Sequence, residues 1–209
     1  MPRRSVLTPA ERAALFAIAE HDDELIRRYM LSDLDLSVIQ QRRGASNRLG
    51  FAVQLCYLRF PGVVLGANDS PSPSVLRVVA TQLNTSIEKW AEYGQREQTR
   101  REHLVELQTH FGFKPFTLRH YRDAVHGLTE TATRTDKGTV LANELVDLLR
   151  AQQIILPAVN AIERICAEAL TLANRQIHAA PTSELSAGQR QRLDALLRRR
   201  EDGKSTMLT

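Results

Sequence analysis

Apolar residues recur along this 209-residue chain at steps of three and four, and stretches of strict alternation are almost absent. Side chains three and four apart share one face of a helix, whereas a half-buried strand needs a period of two, so the chain reads as all-α. Helix boundaries can be read from the punctuation. Thr8, Pro9 and Glu11 read as an N-cap, a first-turn proline and an N3 acid, opening a helix through Ala19. A second helix covers Asp22 to Tyr29. Asp33 or Asp35 caps a third, containing Leu36 and Ile39, and Gly44 stops it as a left-handed residue. Ser46 caps a fourth helix that reaches Phe60, where Pro61 and Gly62 end it.

Residues 61–74 (PGVVLGANDSPSPS) hold three Pro and two Gly among small polar residues, the clearest linker signal in the chain. The division into modules is placed there, giving a first helical module at 1–66, a second at 67–180, and a partial next module or disordered tail at 181–209. Further helical patterns cover 74–84, 86–93, 96–111, 117–132, 136–151 and 155–178, with Pro157 in the first turn of the last. Ser186 opens a short helix with a stripe of Leu193, Leu196 and Leu197, and the closing GKSTMLT has no pattern.

Composition excludes several classes. Hydrophobic residues make up 43% and charged residues 25%, enough apolar surface for a packed core. No run approaches the ~20 apolar residues that span a bilayer, and no signal-peptide core follows the N-terminus, so no membrane partner is expected. Cys56 and Cys166 stand 110 positions apart without metal-ligand spacing, which fits a reducing cytoplasm. His103, His110, His120 and His126 form neither an HExxH pair nor a set with cysteines, so no metal or other cofactor is expected. No carboxylate pair, nucleophile arrangement or phosphate-cradling glycine loop marks a catalytic site.

The charge distribution is more informative than its sum of +4. Residues 36–68 contain no Asp or Glu but include Arg42, Arg43, Arg48 and Arg59. Within them, the third helix, the Gly44–Ala45 turn and the fourth helix form a helix-turn-helix pattern. Leu49, Ala52, Val53, Cys56 and Phe60 make its buried stripe. The opposite face carries Asn47, Gly50 and Gln54, with Arg48 beside them and Ser46 at the helix start. Asn and Gln can pair with adenine and Arg with guanine, while Arg42 and Arg43 at the turn suit phosphates. A second acid-free window spans residues 107–122. There Gly112 ends a helix carrying Arg96, Arg100, Arg101 and His103, and Thr117 caps the next. In that next helix Leu118, Tyr121, Val125 and Leu128 read as core, whereas Arg119, Arg122 and His126 share the outer face, with Lys114 and His120 close by.

These spacings leave two readings open, DNA binding and plain αα packing with solvated arginines. The Trp90–Tyr93 segment (KWAEY) reads as core with a polar edge or as an interaction hot spot. Arg198, Arg199 and Arg200 read as phosphate contacts or as a helix end complementing its dipole.

Four strings carry a family likeness: MPRRSVLTPAER, DLSVIQQRRGASNRLGFAVQLCYLRFPG, TRREHLVELQ and VDLLRAQQIILPAVNAIERICAEA. Together they resemble the N-terminal region of the replicative transposases of Tn-three-type (class II) transposons, from Met1 to about residue 200. The resemblance implies helical modules that recognise double-stranded DNA at the terminal inverted repeats of a transposon. It also implies a distant catalytic domain with a metal-binding acidic triad, which this chain does not reach. The expectation is therefore a fragment without catalysis of its own, cytoplasmic and nucleoid-associated when bound, whose GKSTMLT ending departs from the family. Two modules on a flexible linker would read adjacent turns of the duplex, using Arg42, Arg43, Ser46, Asn47, Arg48 and Gln54 from the first. The second would contribute Arg100, Arg101, Lys114, Thr117, Arg119, His120 and Arg122. The alternative is a protein-interaction module that assembles with or inhibits full-length transposase through exposed Trp90 and Tyr93. A small intact helical enzyme is a third reading, for which no convergent polar pocket can be assembled.

Overall fold

The computed structural model of the chain describes residues 5–18, 21–66, 69–93 and 97–184, with Ser186, Gly188, Gln189, Gln191, Arg192 and Ala195. The fold is all-α. Its helices are α1 (Pro9–Ala14), α2 (Asp22–Tyr29), α3 (Asp33–Gln40), α4 (Ala45–Arg59), α5 (Pro73–Gln82), α6 (Glu97–Phe111), α7 (Leu118–Arg134), α8 (Gly138–Ala151) and α9 (Val159–Glu184). A 3-10 turn at Ile87–Glu92 joins α5 to α6. Among the described residues the one isolated bridge is parallel, between Lys114 and Ile154. Arg96, the Leu193, Leu196 and Leu197 stripe, the Arg198–Arg200 run and the GKSTMLT ending lie outside the described residues.

Several helix starts follow the local chemistry. Thr8 and Glu11 form the expected capping box, the Glu11 carboxylate accepting from the Thr8 N–H at 2.7 Å. The cap of α3 is Ser32, not Asp33 or Asp35, and Asp35 reaches back to accept from the Ser32 N–H at 2.9 Å. Gly44 has φ +80°, as a left-handed turn residue should, but it serves as the N-cap of α4. Ser46 is consequently the second residue of α4 instead of its cap. Pro157 stands just outside α9, two residues before its first residue.

Buried side chains gather in two clusters. One surrounds α4 and takes Leu25, Tyr29, Val38, Ile39, Val75, Val79, Leu107 and Phe113 from α2, α3, α5, α6 and the turn after α6. The other joins Leu7 and Leu15 to α7, α8 and α9 through Val125, Leu128, Leu145, Leu149, Ile162, Ile165 and Ala169. Cys56 and Cys166 lie one in each cluster, and burial pushes both thiols up to about 12. The two clusters do not divide along the chain at residues 61–74: α5 and α6, which follow them, pack with α4, whereas Leu7 and Leu15, which flank α1, pack with α7–α9. This also explains why α1 stops at Ala14, short of the expected Ala19. Leu15 is buried in the second cluster while Ile18 packs on the first, so the chain must cross between them there.

The start of the expected linker is anchored where the two clusters meet. Pro61 and Gly62 are buried, the Leu156 N–H donates to the Gly62 carbonyl at 2.8 Å, and Arg150 Nε donates to the Pro61 carbonyl at 2.8 Å. The guanidinium groups of Arg28 and Arg150 lie 3.7 and 4.7 Å from the Phe60 ring centre. Val63 packs against both clusters.

Candidate nucleic-acid interface

The first acid-free window folds into α3, the Gly44 turn and α4, but α4 offers little surface. Every residue from Leu49 to Leu58 is buried. Gln54, expected in a DNA groove, is 4% exposed. It donates to the Leu65 carbonyl at 3.0 Å and accepts from the Leu65 N–H at 3.3 Å, so it fixes the chain after α4 and cannot reach a ligand. Gly50, on the same expected outer face, is covered by the Tyr93 ring, which lies 2.0 Å from where a Cβ would stand. Tyr93 in turn stacks on His103 and meets its Nδ1 at 3.2 Å. Tyr93 is thus core, which removes it from the exposed pair that a protein-interaction module would need.

Acids outside this window neutralise part of it. Asp35, 2% exposed, accepts two hydrogen bonds from Arg59 at 2.7 and 2.8 Å. Burial alone would raise the Asp35 pKa; the bonds from Arg59 and Ser32 outweigh it and hold the carboxyl below its ordinary value. Arg42 is half-buried, pairs with Glu106 of α6 and lies over Phe51, so it is tied to the fold instead of being free for phosphate. What remains exposed is the turn itself. Arg43 has no acidic partner among the described residues. Arg48 is exposed and donates from Nε to the Arg42 carbonyl at 3.0 Å. Asn47, half-exposed, donates to the Arg43 carbonyl at 3.0 Å, and Ser46 is half-exposed beside it. No acid stands in the first turn of α4, whose unpaired N–H groups favour an anion.

The second window, α6, the Gly112 turn and α7, is more open. Gly112 has φ +77°, and Thr117 caps α7 with His120 in a reciprocal box, the His120 Nδ1 accepting from the Thr117 N–H at 3.2 Å. Arg119 and Arg122 are exposed, and Arg119 makes only a loose contact with Asp123 at 3.7 Å, both side chains well into solvent. His126 and Lys114 are exposed too. Of the supporting residues on α6, Arg101 pairs with Glu97 in solvent. Arg100 is a clamp: it donates to the Gly66 carbonyl at 2.9 Å and lies over the Trp90 and Tyr93 rings. On α7 itself, Val125 and Leu128 are core, as their spacing predicts, but Tyr121 is only half-buried and Leu118 is 64% exposed. Phe116 and Tyr121 pack against the second cluster, and Leu118 between them does not join it.

Sequence order hid two relations. Asp35 and Glu106 lie outside the first window yet pair within it, and only the fold brings them there. Glu106 also shows how near the two glycine turns are: it touches Arg42 and stands six residues, about 9 Å of helix, before Gly112.

Among the described residues no three or more His, Cys, Asp or Glu side chains converge to hold a metal, and no helix is long and apolar enough to cross a membrane. The family described as Domain of unknown function (DUF4158) matches residues 6–169. The chain belongs to that family. The DUF4158 match begins before α1 and ends within α9, so it takes in both clusters. The chain is 64% identical over 208 residues to the transposase for transposon Tn3926 of Escherichia coli and 60% identical over 208 residues to that for transposon Tn21 of Escherichia coli. It is 46% identical over 209 residues to the transposase for transposon Tn501 of Pseudomonas aeruginosa. In each case the whole chain is covered but only 21% of the relative, so the chain spans about a fifth of the length of these curated relatives.

Proposed function

We propose that the chain binds double-stranded DNA within a transposase and recognises the terminal inverted repeats of a transposon, leaving strand cleavage and transfer to other parts of the longer protein. The observation that carries this reading is the start of α7, where Arg119, Arg122 and His126 project into solvent behind a capped turn bearing Lys114. The transposases named among the relatives supply the context. In this reading α7 enters the major groove, and Arg43, Arg48, Lys114 and the first turn of α4 hold the flanking phosphates. Arg42, Gln54 and Arg100 support the fold. The closeness of the two glycine turns favours one stretch of duplex over two successive turns about 34 Å apart.

The test is a gel shift of the 209-residue chain on a duplex carrying a terminal inverted repeat of Tn3926 and on a scrambled duplex, across a range of salt. The repeat should bind more tightly at every salt, and equal affinity for both would sink the sequence-specific reading. Replacing Arg119 and Arg122 by Ala should erase about tenfold or more of the preference. Replacing Arg43 and Arg48 by Ala should lower the salt slope by about 2 and leave the ranking of sequences intact.

A second reading, assembly with full-length transposase, draws on Ile26, Met30 and Leu34, which are 48%, 58% and 67% exposed near the corner of α2 and α3. It expects co-elution of the chain with full-length transposase that Met30→Glu abolishes.

A further inference from the structure

Resting on the DNA reading above, we infer that Leu118 is a specificity-determining residue that packs on the methyl group of a thymine in the major groove. Leu118 is the first residue of α7, and its side chain is 64% exposed. Its neighbours in the helical pattern, Val125 and Leu128, are 6% and 4% exposed. Phe116 and Tyr121, on either side of it, pack against the second cluster, but Leu118 is not among the residues of that cluster and keeps most of its surface in solvent. At about 100° per residue, Leu118, Arg122, His126 and Arg119 fall at 0°, 40°, 80° and 100° around α7 and share one exposed face over its first nine residues, beyond which Thr129, at 20°, is buried. The lone apolar member of that face sits at the helix N-terminal end, the end that a helix-turn-helix recognition helix presents to base edges.

The chemistry selects the ligand. A protein partner would favour an apolar patch, yet Leu118 is the one large exposed hydrophobic on α7; the exposed residues next to it in the chain and one turn on are Thr117, Arg119 and Arg122, and Tyr121 is half-buried. Of the groups that base pairs display in the major groove, the apolar one is the thymine methyl, and the rest are hydrogen-bond donors and acceptors. An arginine-flanked leucine matches a surface of that kind, where cations meet phosphates and acceptors while one methyl needs apolar contact. Leu118 would then read one position without a hydrogen bond, next to whatever bases Arg119 and Arg122 address.

Deoxyuridine lacks the methyl but pairs as thymine does, so it separates this contact from every other. The 209-residue chain and its Leu118→Ala variant are titrated against the preferred duplex with each thymine replaced singly by deoxyuridine. The expected result is one position at which the wild-type chain loses about fourfold in affinity, the value of one buried methyl, while Leu118→Ala, already weakened on the parent duplex, loses nothing further there. The salt slope should be the same for both proteins, because no charge is removed. If no thymine responds in the wild type, or if Leu118→Ala still loses the same factor at the responding position, the inference is overturned although DNA recognition stands. If the wild-type chain shows no preference for the repeat over a scrambled duplex, the DNA reading fails and this inference fails with it. Leu118 is exposed, so the variant should keep its thermal midpoint, and circular dichroism confirms that any loss is one of binding.

Discussion

The two helices that follow the glycine turns, α4 and α7, look alike in sequence and are covered in opposite ways. Both come after a residue at positive φ, both lie in or begin in an acid-free window, and both carry arginine beside an amphipathic stripe. The first is enclosed along its length, with Phe51, Leu55 and Leu58 buried as fully as the stripe of Leu49, Ala52 and Val53. The second buries one face against α9 and α8 and leaves the other in solvent. A helix can be a central post or keep an open face, and the difference lies in what covers its outer side. For α4 the cover is the 3-10 turn with Tyr93, the chain at Leu65, and Glu106 on Arg42. For α7 the described residues supply none.

The sharpest way to break this comparison is to add one methyl group to α4. In Gly50→Ala the new Cβ would stand 2.0 Å from the Tyr93 ring, which is itself held by Trp90, His103 and Arg100. The ring cannot swing aside without giving up its stack on His103. Overpacking with loss of that contact should cost about 3 kcal/mol or more, read as a lower denaturation midpoint in urea. A variant as stable as the wild type would show that Tyr93 does not seal α4.

Much of the α7 side of this contrast was legible in the sequence, and the α4 side only partly. Thr8, Thr117 and the positive-φ glycines Gly44 and Gly112 declare themselves, because caps and left-handed turns depend on residues within reach along the chain. The buried stripe of α4 follows from spacing alone. The string FAVQLCYL also held a signal that the helix is apolar nearly all round, the pattern of an enclosed helix, which the single polar residue Gln54 obscured. Spacing could not reveal that Gln54 bonds to Leu65, that Asp35 and Glu106 come to Arg59 and Arg42, or that α1 crosses to the second cluster. Those are long-range contacts between groups with ordinary local patterns. Leu118 fails for the converse reason: its periodicity is right for a core position, but Phe116 and Tyr121 take the places against the cluster on either side of it.

A smaller effect should distinguish the two regions by pH. His103 of α6 lies between Phe51 and Tyr93, and burial pushes its pKa below the ordinary value, opposed by Glu106 and Glu102 and reinforced by Arg42. The unfolded chain therefore binds a proton more readily than the folded one. The stability that depends on neutral His103 is complete above about pH 6.5 and is lost as pH falls through the lowered folded value. Amide exchange should accordingly quicken in α4 and α6 between pH 7 and 5, after correction for intrinsic rates, while α7 keeps its protection. His103→Gln, which retains a hydrogen-bonding group near Tyr93, should flatten that dependence, and an unchanged dependence in the variant would place its source elsewhere.

The least effect is expected from the same change that opens the series, made on the other helix. Gly127 lies inside α7, and a Cβ built there meets nothing within 4 Å. A glycine in a helix interior costs about 0.5–1 kcal/mol relative to alanine through backbone entropy. Gly127→Ala should therefore stabilise the chain by that amount, raising the melting temperature by about 1–4 °C, whereas Gly50→Ala lowers it. The substitution adds no charge, and residue 127 falls about 80° around α7 from Arg119, so binding to the inverted-repeat duplex should stay within a factor of two of wild type. A destabilised Gly127→Ala chain would mean that α7 is covered on this side as α4 is. Stabilisation with a large loss of DNA affinity would instead extend the reading surface past Asp123 to the helix edge that Gly127 occupies.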